Sequence, residues 1–305
     1  MSAVILTVTP NPSVDRTLDV ASLVAGAVNR ANGAHVEPSG KGVNVTRALA
    51  ANGVRSRAVL PIGGAEGDQL RRLLEEESVS YVAVPVTEPV RVNISLRTPD
   101  GVVTKVNEPG PILSWGEADA LAEAVLAHLG HGDWVVGAGT LPRGVSDDFY
   151  ADLAERVRLA GGRFALDSSG AALRKGLAGR PALVKPNLDE LAELTGGTLP
   201  TLDDVLTAAA KVRRTTGTDV LVSLGEEGAV LVGDGPPLHA RVGKPVRVAS
   251  TVGAGDNLLA GFLAVNGPPA HRLREAVAWG TAAVRSPRSL AGAVTDDDRA
   301  VVVLA

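Results

Sequence analysis

The sequence predicts an α/β protein with a central, mostly parallel β-sheet and helices on both faces. From about Trp134 onward, short apolar segments rich in β-branched residues alternate with amphipathic segments of helical length. The first apolar run, Val4 to Val8, ends in the turn sequence TPNPS and predicts one more buried strand. Of the 305 residues, 45% are hydrophobic, which allows a large core. Such alternation is typical of βαβ units, in which helices cover a parallel sheet.

The elements of the second half follow in order. The strand WVVGAG precedes the helix SDDFYADLAERVRLA, RFALDSS precedes AALRKGLA, and ALVKPN precedes LDELAELTG. A further helix, TLDDVLTAAAKVRRTTG, has Thr201 as a candidate N-cap and acidic residues in its first turn. The apolar strand DVLVSLG comes next.

Two segments, 11–36 and 86–108, break this pattern because they are richer in Val, Thr, Arg, Asn and Pro. The second contains two alternating stretches joined at Asp100-Gly101, which is a hairpin signal. We expect the two segments to form one small β-sheet beside a main domain of residues 1–10, 37–85 and 109–305. This sheet would cover a site and exclude water, or form a dimer contact; the residues alone leave both open.

Composition excludes several functions. The net charge is −4, from 34 acidic and 30 basic residues, so no overall field attracts nucleic acid or a membrane. Aromatic residues make up 3%, too few for base-stacking surfaces. The absence of cysteine rules out disulfides and thiolate chemistry and fits the cytoplasm. We expect a cytoplasmic protein, because neither a signal peptide nor a membrane-spanning stretch is recognisable.

Three glycine-rich turns stand out, in PSGKGVN, GAGTLPRG and STVGAGDN. None is a standard dinucleotide or P-loop motif, since Gly42 follows Lys41 and Leu258 replaces the last glycine of G-x-G-x-x-G. A single one of these turns is most simply a tight turn. Three of them near strand C-termini and helix N-termini predict a ligand crevice at the carboxyl edge of the sheet.

The last turn leads into a helix expected to begin near Asp256. The backbone N–H groups and positive dipole end of such a helix suit a phosphate group. A carboxylate there repels what the site attracts and therefore needs a chemical reason. The structural alternative is an N-cap or first-turn acid that complements the helix dipole.

Taken together, the motifs resemble the phosphofructokinase-B branch of the ribokinase-like carbohydrate kinases, in order and over nearly the whole chain. The resemblance rests on NPSVDRT, SGKGVNVTRAL, VKPNLDEL, VSLGEEGA and STVGAGDNLLAGF. The stretches VNEPGP, GTLPRGV and ALDSSGAAL narrow it to sugar-phosphate kinases, especially 1-phosphofructokinase and tagatose-6-phosphate kinase. It implies a ribokinase-like α/β fold in which the small β-sheet is a lid.

The resemblance also implies a catalytic centre. Asp256 would accept the proton of the acceptor hydroxyl as that hydroxyl attacks the γ-phosphate of ATP. The main-chain N–H groups of Gly253, Ala254 and Gly255 would form an anion hole for the transferred phosphoryl group. Phosphoryl transfer depends mainly on positioning and charge stabilisation, so this division of roles suits the reaction.

On the nucleotide side, the resemblance implies that Asn187 and Glu190 hold Mg²⁺ through water, while Lys185 offsets phosphate charge. The structural alternative is a Pro-Asn turn that opens a helix with acidic first-turn residues. The residues implied to contact ATP are Lys185, Asn187, Ser223, Gly225, Gly228, Ser250, Thr251 and Val252.

On the sugar side, the implied contacts are Asp15, Gly40, Lys41, Gly42, Asn44 and Thr140. An acceptor that already carries a phosphate needs cations, for which Arg30, Arg91 and Lys105 are the candidates. The alternative for each cation is a solvated strand face. The sequence departs from the family pattern at Ser39, at Asn257 and in the polar segment 284–292, which bears on nucleotide preference and turnover.

The implied activity is an ATP- and Mg²⁺-dependent kinase that converts fructose 1-phosphate to fructose 1,6-bisphosphate. Tagatose-6-phosphate kinase and 6-phosphofructokinase of the same branch are the nearest alternatives. A kinase of nucleosides or unphosphorylated sugars would need fewer cations in the lid. A catalytically silent sensor of nucleotides or sugar phosphates is a further alternative, and a homodimer through the lid is expected as a possible assembly.

Overall fold

The computed structural model describes residues 4–286 and 292–304, so most of the polar segment 284–292 lies outside the described residues. The main feature is a ten-stranded sheet. Its strands, numbered along the chain and given in spatial order, are Tyr81–Pro85 (β5), Ser56–Ile62 (β4), Ile5–Val8 (β1), Trp134–Ala138 (β8), Arg163–Asp167 (β9), Leu183–Val184 (β10), Asp219–Ser223 (β11), Ala229–Val232 (β12), Leu238–Val242 (β13) and Val302–Leu304 (β14).

The strands from β5 to β11 are parallel, and β12, β13 and β14 add an antiparallel edge. This confirms the mostly parallel sheet. The strands next to β1 are buried on both faces, which explains why they consist of continuous apolar runs rather than alternating ones. The carboxyl ends of β1, β8, β9 and β10 consequently meet at one edge.

Ten helices accompany the strands within the described residues. They are Lys41–Ala51 (α1), Gly64–Glu76 (α2), Trp115–Ala127 (α3), Phe149–Leu159 (α4), Gly170–Gly176 (α5), Leu188–Thr195 (α6), Leu202–Thr216 (α7), Ala254–Ala264 (α8), Pro269–Arg285 (α9) and Asp296–Ala300 (α10). Apolar residues of α3 to α7 form one core layer with the sheet, and those of α1, α8 and α9 form another. Helices on both faces are therefore confirmed.

The two segments of different composition form a second, four-stranded sheet, as expected. Its spatial order is Ala31–Ser39 (β3), Ser13–Val20 (β2), Arg91–Arg97 (β6) and Val103–Asn107 (β7). The two outer pairs are antiparallel, whereas β2 and β6 run parallel. The hairpin expected at Asp100-Gly101 joins β6 to β7, and β3 leads through Gly40 directly into α1.

Two kinds of helix N-terminus bear on function. The side chain of Thr201 caps α7 as predicted, by accepting a hydrogen bond from the N–H of Asp204. In contrast, α1 and α8 begin at Gly40 and Gly253, whose positive φ angles of 124° and 76° favour glycine, and neither has a side-chain cap. Helix α8 starts at Ala254, two residues before the predicted position, because the Gly253 conformation already turns the chain into the helix.

No helix in the part of the chain that the structure describes is long and apolar enough to cross a membrane.

Candidate active site

The three glycine-rich turns meet at the carboxyl edge of the main sheet, as predicted. The Cβ position at Gly139, in the turn after β8, lies 3.9 Å from Lys41 Cβ at the start of α1. The Cβ position at Gly255 lies 3.4 Å from the ammonium of Lys185, which follows β10. The residues of these turns therefore lie together at one place, which we call the crevice.

Asp256 lies at the head of α8, and only 7% of the residue is exposed. Its Oδ2 accepts a hydrogen bond of 2.8 Å from Asn44 Nδ2 on α1. Burial, reinforced by the nearby charge of Asp167, raises the pKa of Asp256 to about 6, although the Asn44 amide and two lysines oppose this. A carboxylate with such a pKa is a better proton acceptor near neutral pH than an exposed one.

Asp167 is the principal site residue that the motifs did not identify. It ends β9, is fully buried, and places Oδ1 2.7 Å from Lys41 Nζ and Oδ2 3.1 Å from Lys185 Nζ. Burial alone would raise the pKa of Asp167, but the two ammonium groups outweigh it and lower that pKa. The three side chains hold two positive charges beside the N-terminus of α8. The sequence feature that could have identified Asp167 is its position as an acidic residue at the carboxyl end of a buried parallel strand.

Lys41 links this cluster to the Asn-x-x-Glu element. Its Nζ lies 3.7 Å from Glu190 Oε1, while Glu190 Oε2 accepts a hydrogen bond from the N–H of Asn187. Burial would lower the pKa of Lys41, but the charges of Asp167 and Glu190 raise it. Lys41 is therefore a permanent cation in the crevice.

Asn187 and Glu190 also form the capping box of α6, so the structural alternative for these residues is present. Their side chains nevertheless offer the oxygen donors that Mg²⁺ prefers. No group of three or more His, Cys, Asp or Glu in the described ranges could enclose a metal. One carboxylate and one amide oxygen are a donor set that fits an ion which keeps much of its hydration and binds substrate phosphates.

The N-terminus of α8 presents unsatisfied backbone donors. The N–H of Ala254 donates only a long hydrogen bond of 3.4 Å to the carbonyl of Thr251, and among the described residues no acceptor is found for the N–H groups of Gly253 and Gly255. The preceding loop is stabilised by the Ser250 hydroxyl, which accepts a hydrogen bond from the N–H of Val252. Such a helix end binds anions.

The predicted nucleotide residues on β11 lie beside the Asn-x-x-Glu element. Ser223 forms an isolated parallel bridge with Asn187. Gly225 and Gly228 have positive φ angles of 62° and 83° and shape the turn into β12. A Cβ on Gly228 would lie 2.1 Å from the Ala240 carbonyl, so glycine is required there by packing in any case.

Two of the residues predicted to contact the acceptor, Asp15 and Arg91, lie on the small sheet. Asp15 Oδ1 accepts hydrogen bonds from Ser13 Oγ at 2.7 Å and Asn93 Nδ2 at 2.9 Å. The Arg91 guanidinium donates to the carbonyls of Asn11 and Glu108. These contacts fix Asp15 and Arg91 at the end of the small sheet that faces α1.

Glycines at the start of α1 allow the chain to pass close to the end of β1. A Cβ on Gly40 would lie 2.7 Å from Thr9 Cγ2, and a Cβ on Gly42 would lie 2.4 Å from Thr9 Oγ1. Real Cβ atoms do not approach so closely. Both glycines are therefore needed to place Lys41 and Asn44, whatever further contact they make with a sugar.

Several buried polar atoms around this end of the crevice have no hydrogen-bond partner. They are Thr9 Oγ1, Asn11 Oδ1, Asn44 Oδ1, Arg91 Nε and Asn93 Oδ1. Unsatisfied buried polar groups are costly and need an explanation, and a polar ligand supplies one. Thr9, Asn11 and Asn93 were not singled out from the sequence. Each of them is a polar residue that lies within an apolar strand or just after its end.

The structure separates the three predicted cations. Lys105 pairs with Ser95 on β6, about 13 Å along the sheet from Arg91, and Arg30 precedes β3 about 23 Å away. Both are exposed, as is Thr140, although Thr140 follows Gly139 at the crevice. Within one chain, Arg91 is the member of the set that lies at the crevice.

Ser39 and Asn257, the two single positions that depart from the family pattern, are buried, and the Asn257 side chain donates a hydrogen bond to the Gly253 carbonyl.

Comparisons with known proteins identify the family of this chain. A model of the pfkB family of carbohydrate kinases matches residues 8–291. The 1-phosphofructokinase of Bacillus subtilis is 35% identical, with 85% of this chain and 84% of that protein covered. The 1-phosphofructokinase of Rhodobacter capsulatus is 38% identical, with coverage of 86% and 84%.

Among solved structures, phosphofructokinase-2 from Escherichia coli in complex with fructose-6-phosphate has a TM-score of 0.90 at 32% identity, with 98% of both chains covered. The Arabidopsis thaliana ribokinase structure, at 22% identity and a TM-score of 0.77, shows the same fold. The expected ribokinase-like fold is thus confirmed. The chain belongs to the pfkB family of carbohydrate kinases, phosphotransferases that act on an alcohol group.

Proposed function

We propose that this protein uses ATP and Mg²⁺ to phosphorylate fructose 1-phosphate to fructose 1,6-bisphosphate. The observation that carries the proposal is the buried Asp256 carboxylate, which Asn44 holds at an uncapped helix N-terminus beside two lysines. The choice of acceptor is supported by relatives named 1-phosphofructokinase at 35% and 38% identity.

In the proposed reaction, the acceptor hydroxyl oxygen attacks the γ-phosphorus of ATP and its proton passes to Asp256. The bond from that phosphorus to the β–γ bridging oxygen breaks, and ADP leaves. The N–H groups of Gly253, Ala254 and Gly255 stabilise the transferred phosphoryl group, and Lys41 and Lys185 supply positive charge. When bound, Mg²⁺ supplies further charge neutralisation, and Asn187 and Glu190 would hold it through water.

The remaining ATP contacts are proposed from their places around the crevice. Ser223 ends β11 next to Asn187, Gly225 and Gly228 follow that strand, and the loop 250–252 leads into the proposed anion hole. Their open backbone leaves room for a purine and its ribose. The residues proposed to contact ATP are Lys185, Asn187, Ser223, Gly225, Gly228, Ser250, Thr251 and Val252.

The acceptor is proposed to lie between the lid and α1. The residues proposed to contact it are Asp15, Gly40, Lys41, Gly42, Asn44 and Thr140, with Arg91 bound to its phosphate. The unsatisfied polar atoms at this end of the crevice support a ligand rich in hydroxyl groups. Arg30 and Lys105 are exposed farther along the lid, so they reach the phosphate only through lid movement or from a second copy.

Fructose 6-phosphate is the second candidate acceptor. One observation favours it: the Escherichia coli phosphofructokinase-2 structure in complex with fructose-6-phosphate shares 32% identity with this chain. Both acceptors would use the same base and anion hole. They differ in which end of the sugar carries the phosphate that Arg91 would bind.

An ADP-release assay with Mg-ATP tests the proposal, using fructose 1-phosphate, fructose 6-phosphate and tagatose 6-phosphate in parallel. We expect the highest kcat/KM with fructose 1-phosphate, a loss of turnover by about a thousandfold or more in Asp256→Asn, and nearly unchanged ATP binding. Asp203→Asn, a first-turn acid on the surface of α7, is the matched control. A preference for a 6-phosphate would overturn the acceptor alone, and full activity of Asp256→Asn would overturn the base.

We also propose that the small sheet is a lid that pairs with the lid of a second copy. Its outer strand β7 is exposed throughout and presents Val103 and Val106, and Val28 in the β2–β3 loop is 79% exposed. Exposed apolar strand edges are usually covered. Light scattering should give a dimer mass, and Val106→Glu should give a monomer. A wild-type monomer at micromolar concentration would rule out this assembly.

A further inference from the structure

The carbonyl of Gly139 receives two side-chain hydrogen bonds from buried hydroxyl groups. Tyr150 Oη and Ser168 Oγ each donate to it at 2.9 Å. Both residues are fully buried, and they come from different elements, α4 and the turn after β9. Since a carbonyl oxygen has two lone pairs, its accepting capacity is filled.

The N–H of Gly139 is bonded as well, to the carbonyl of Asp167 at 2.9 Å. Gly139 has a φ of +95°, which glycine adopts readily, and a Cβ built on it would lie 3.9 Å from Lys41 Cβ. The Gly139 turn is therefore attached to the same residue whose carboxylate pairs with Lys41 and Lys185. A displacement of this turn would change the wall of the crevice beside Lys41.

Packing fixes the Tyr150 ring as well as its hydroxyl. The ring lies against the backbone of β8, where a Cβ on Gly137 would come within 2.8 Å of Tyr150 Cδ1. Phe149 packs edge-on against it, with ring centroids 5.6 Å apart. Burial, with a contribution from Asp167, raises the pKa of Tyr150 well above its usual value, so the hydroxyl remains a donor. Such a rigid donor suits a positioning role.

We propose that Tyr150 and Ser168 are positioning residues for the acceptor, holding the Gly139–Thr140 turn beside Lys41 through the Gly139 carbonyl. This inference rests on the proposed function, in which Thr140 and Lys41 contact the sugar phosphate. Neither hydroxyl is available to a substrate, because each is buried and donates to the main chain. We expect their main effect on the sugar side, because the Gly139–Thr140 turn faces Lys41, whereas the Gly139 turn reaches the proposed ATP contact Lys185 only through Asp167.

The test is steady-state kinetics of Tyr150→Phe, Ser168→Ala and the double variant, with each substrate varied in turn. In each single variant the Gly139 carbonyl keeps one partner, and we expect KM for the sugar phosphate to rise about three- to tenfold. The double variant leaves the carbonyl bare and should show a rise larger than the product of the single effects. KM for ATP and kcat should change less than about twofold.

Tyr81→Phe is the matched control, because Tyr81 donates its hydroxyl to Glu75 at the surface, away from the crevice. Circular dichroism and melting temperature check that each variant folds, and Tyr150→Phe keeps the packed ring if Ser168→Ala does not fold. Equal rises of both KM values, a loss confined to kcat, or unchanged KM values would overturn the inference. Failure of the proposed function is a different result: a wild-type protein that phosphorylates none of the three ketohexose phosphates.

Discussion

Asn44 Nδ2 donates a hydrogen bond of 2.8 Å to Asp256 Oδ2, joining two helices whose residues are 212 positions apart. An amide donor stabilises the ionised carboxylate, whereas burial and the charge of Asp167 favour the protonated form. The second effect is larger, because the pKa of Asp256 is raised to about 6. The pair therefore sets the pH at which the proposed base becomes available, and it orients the carboxylate before any substrate arrives.

The first prediction concerns the acid limb of the pH–rate profile. Only ionised Asp256 accepts a proton, so kcat/KM should fall about tenfold per pH unit below 6 and level off above 7. Asn44→Ala removes a donor that favours the ionised form, which raises the pKa and should move the limb upward by roughly one pH unit. The profile is measured from pH 5 to 9 with saturating Mg-ATP.

A phosphate monoester also titrates near pH 6, so the acceptor contributes to the limb in the wild type. That contribution is the same in both proteins, and the difference between them isolates Asp256. Asn52→Ala is the control, because Asn52 uses its amide on the main chain at the other end of α1. Coincident limbs for wild type and Asn44→Ala would show that the hydrogen bond does not tune the base.

The second prediction concerns stability. The pKa of Asp256 in the folded protein, about 6, exceeds its ordinary value of 3.8, so protonation favours the folded state. This contribution is complete below pH 3.8 and is lost as the pH rises through 6. Asparagine resembles the neutral acid. Asp256→Asn should therefore melt at a higher temperature than wild type at pH 8, and the difference should vanish near pH 4.

Asp167→Asn provides the opposite case. Its pKa is lowered by two ammonium groups, so its contribution to stability is present at pH 8 and is lost as the solution becomes acidic enough to protonate it. The variant leaves the buried Lys185 without its counter-charge and should melt at a lower temperature than wild type. Melting of both variants is followed by circular dichroism. A lower melting temperature of Asp256→Asn at pH 8 would contradict the prediction, because it would show that burying the charge of the Asp256 carboxylate does not destabilise the folded protein.

The sequence allowed the fold to be predicted more completely than the site. Local signals sufficed for the Thr201 cap, the β6–β7 hairpin and the alternating strands, since each depends on neighbouring residues. The role of Asp167 does not depend on neighbouring residues. Its two lysine partners lie 18 and 126 positions away in the sequence, and only the order of strands in the sheet brings them together. Arg30, Arg91 and Lys105 show the converse: similar charge and composition suggested one cluster, but strand register separates them.

The third prediction assigns the acceptor's phosphate to Arg91. The guanidinium is partly buried, bonds two carbonyls and keeps Nε without a partner, which leaves a donor for an anion. Arg91→Gln should raise KM for the sugar phosphate roughly 10- to 100-fold and leave KM for ATP unchanged. Arg97→Gln, on the same strand but paired with Asp19 at the surface, is the control. The assignment fails if both variants keep the wild-type KM for the sugar phosphate.

The fourth prediction concerns Glu190, which offers an oxygen donor near Lys41 while its second oxygen caps α6. If this carboxylate holds hydrated Mg²⁺, Glu190→Gln removes one negative charge from the ion's surroundings but keeps an oxygen in place. The Mg²⁺ concentration that gives half-maximal activity should rise about tenfold at fixed ATP, with much of kcat recovered at high Mg²⁺. Glu193→Gln, one turn along α6 and paired with Arg174, should keep the wild-type requirement. An unchanged Mg²⁺ requirement in Glu190→Gln, together with a lower kcat, would instead assign Glu190 to the orientation of Lys41.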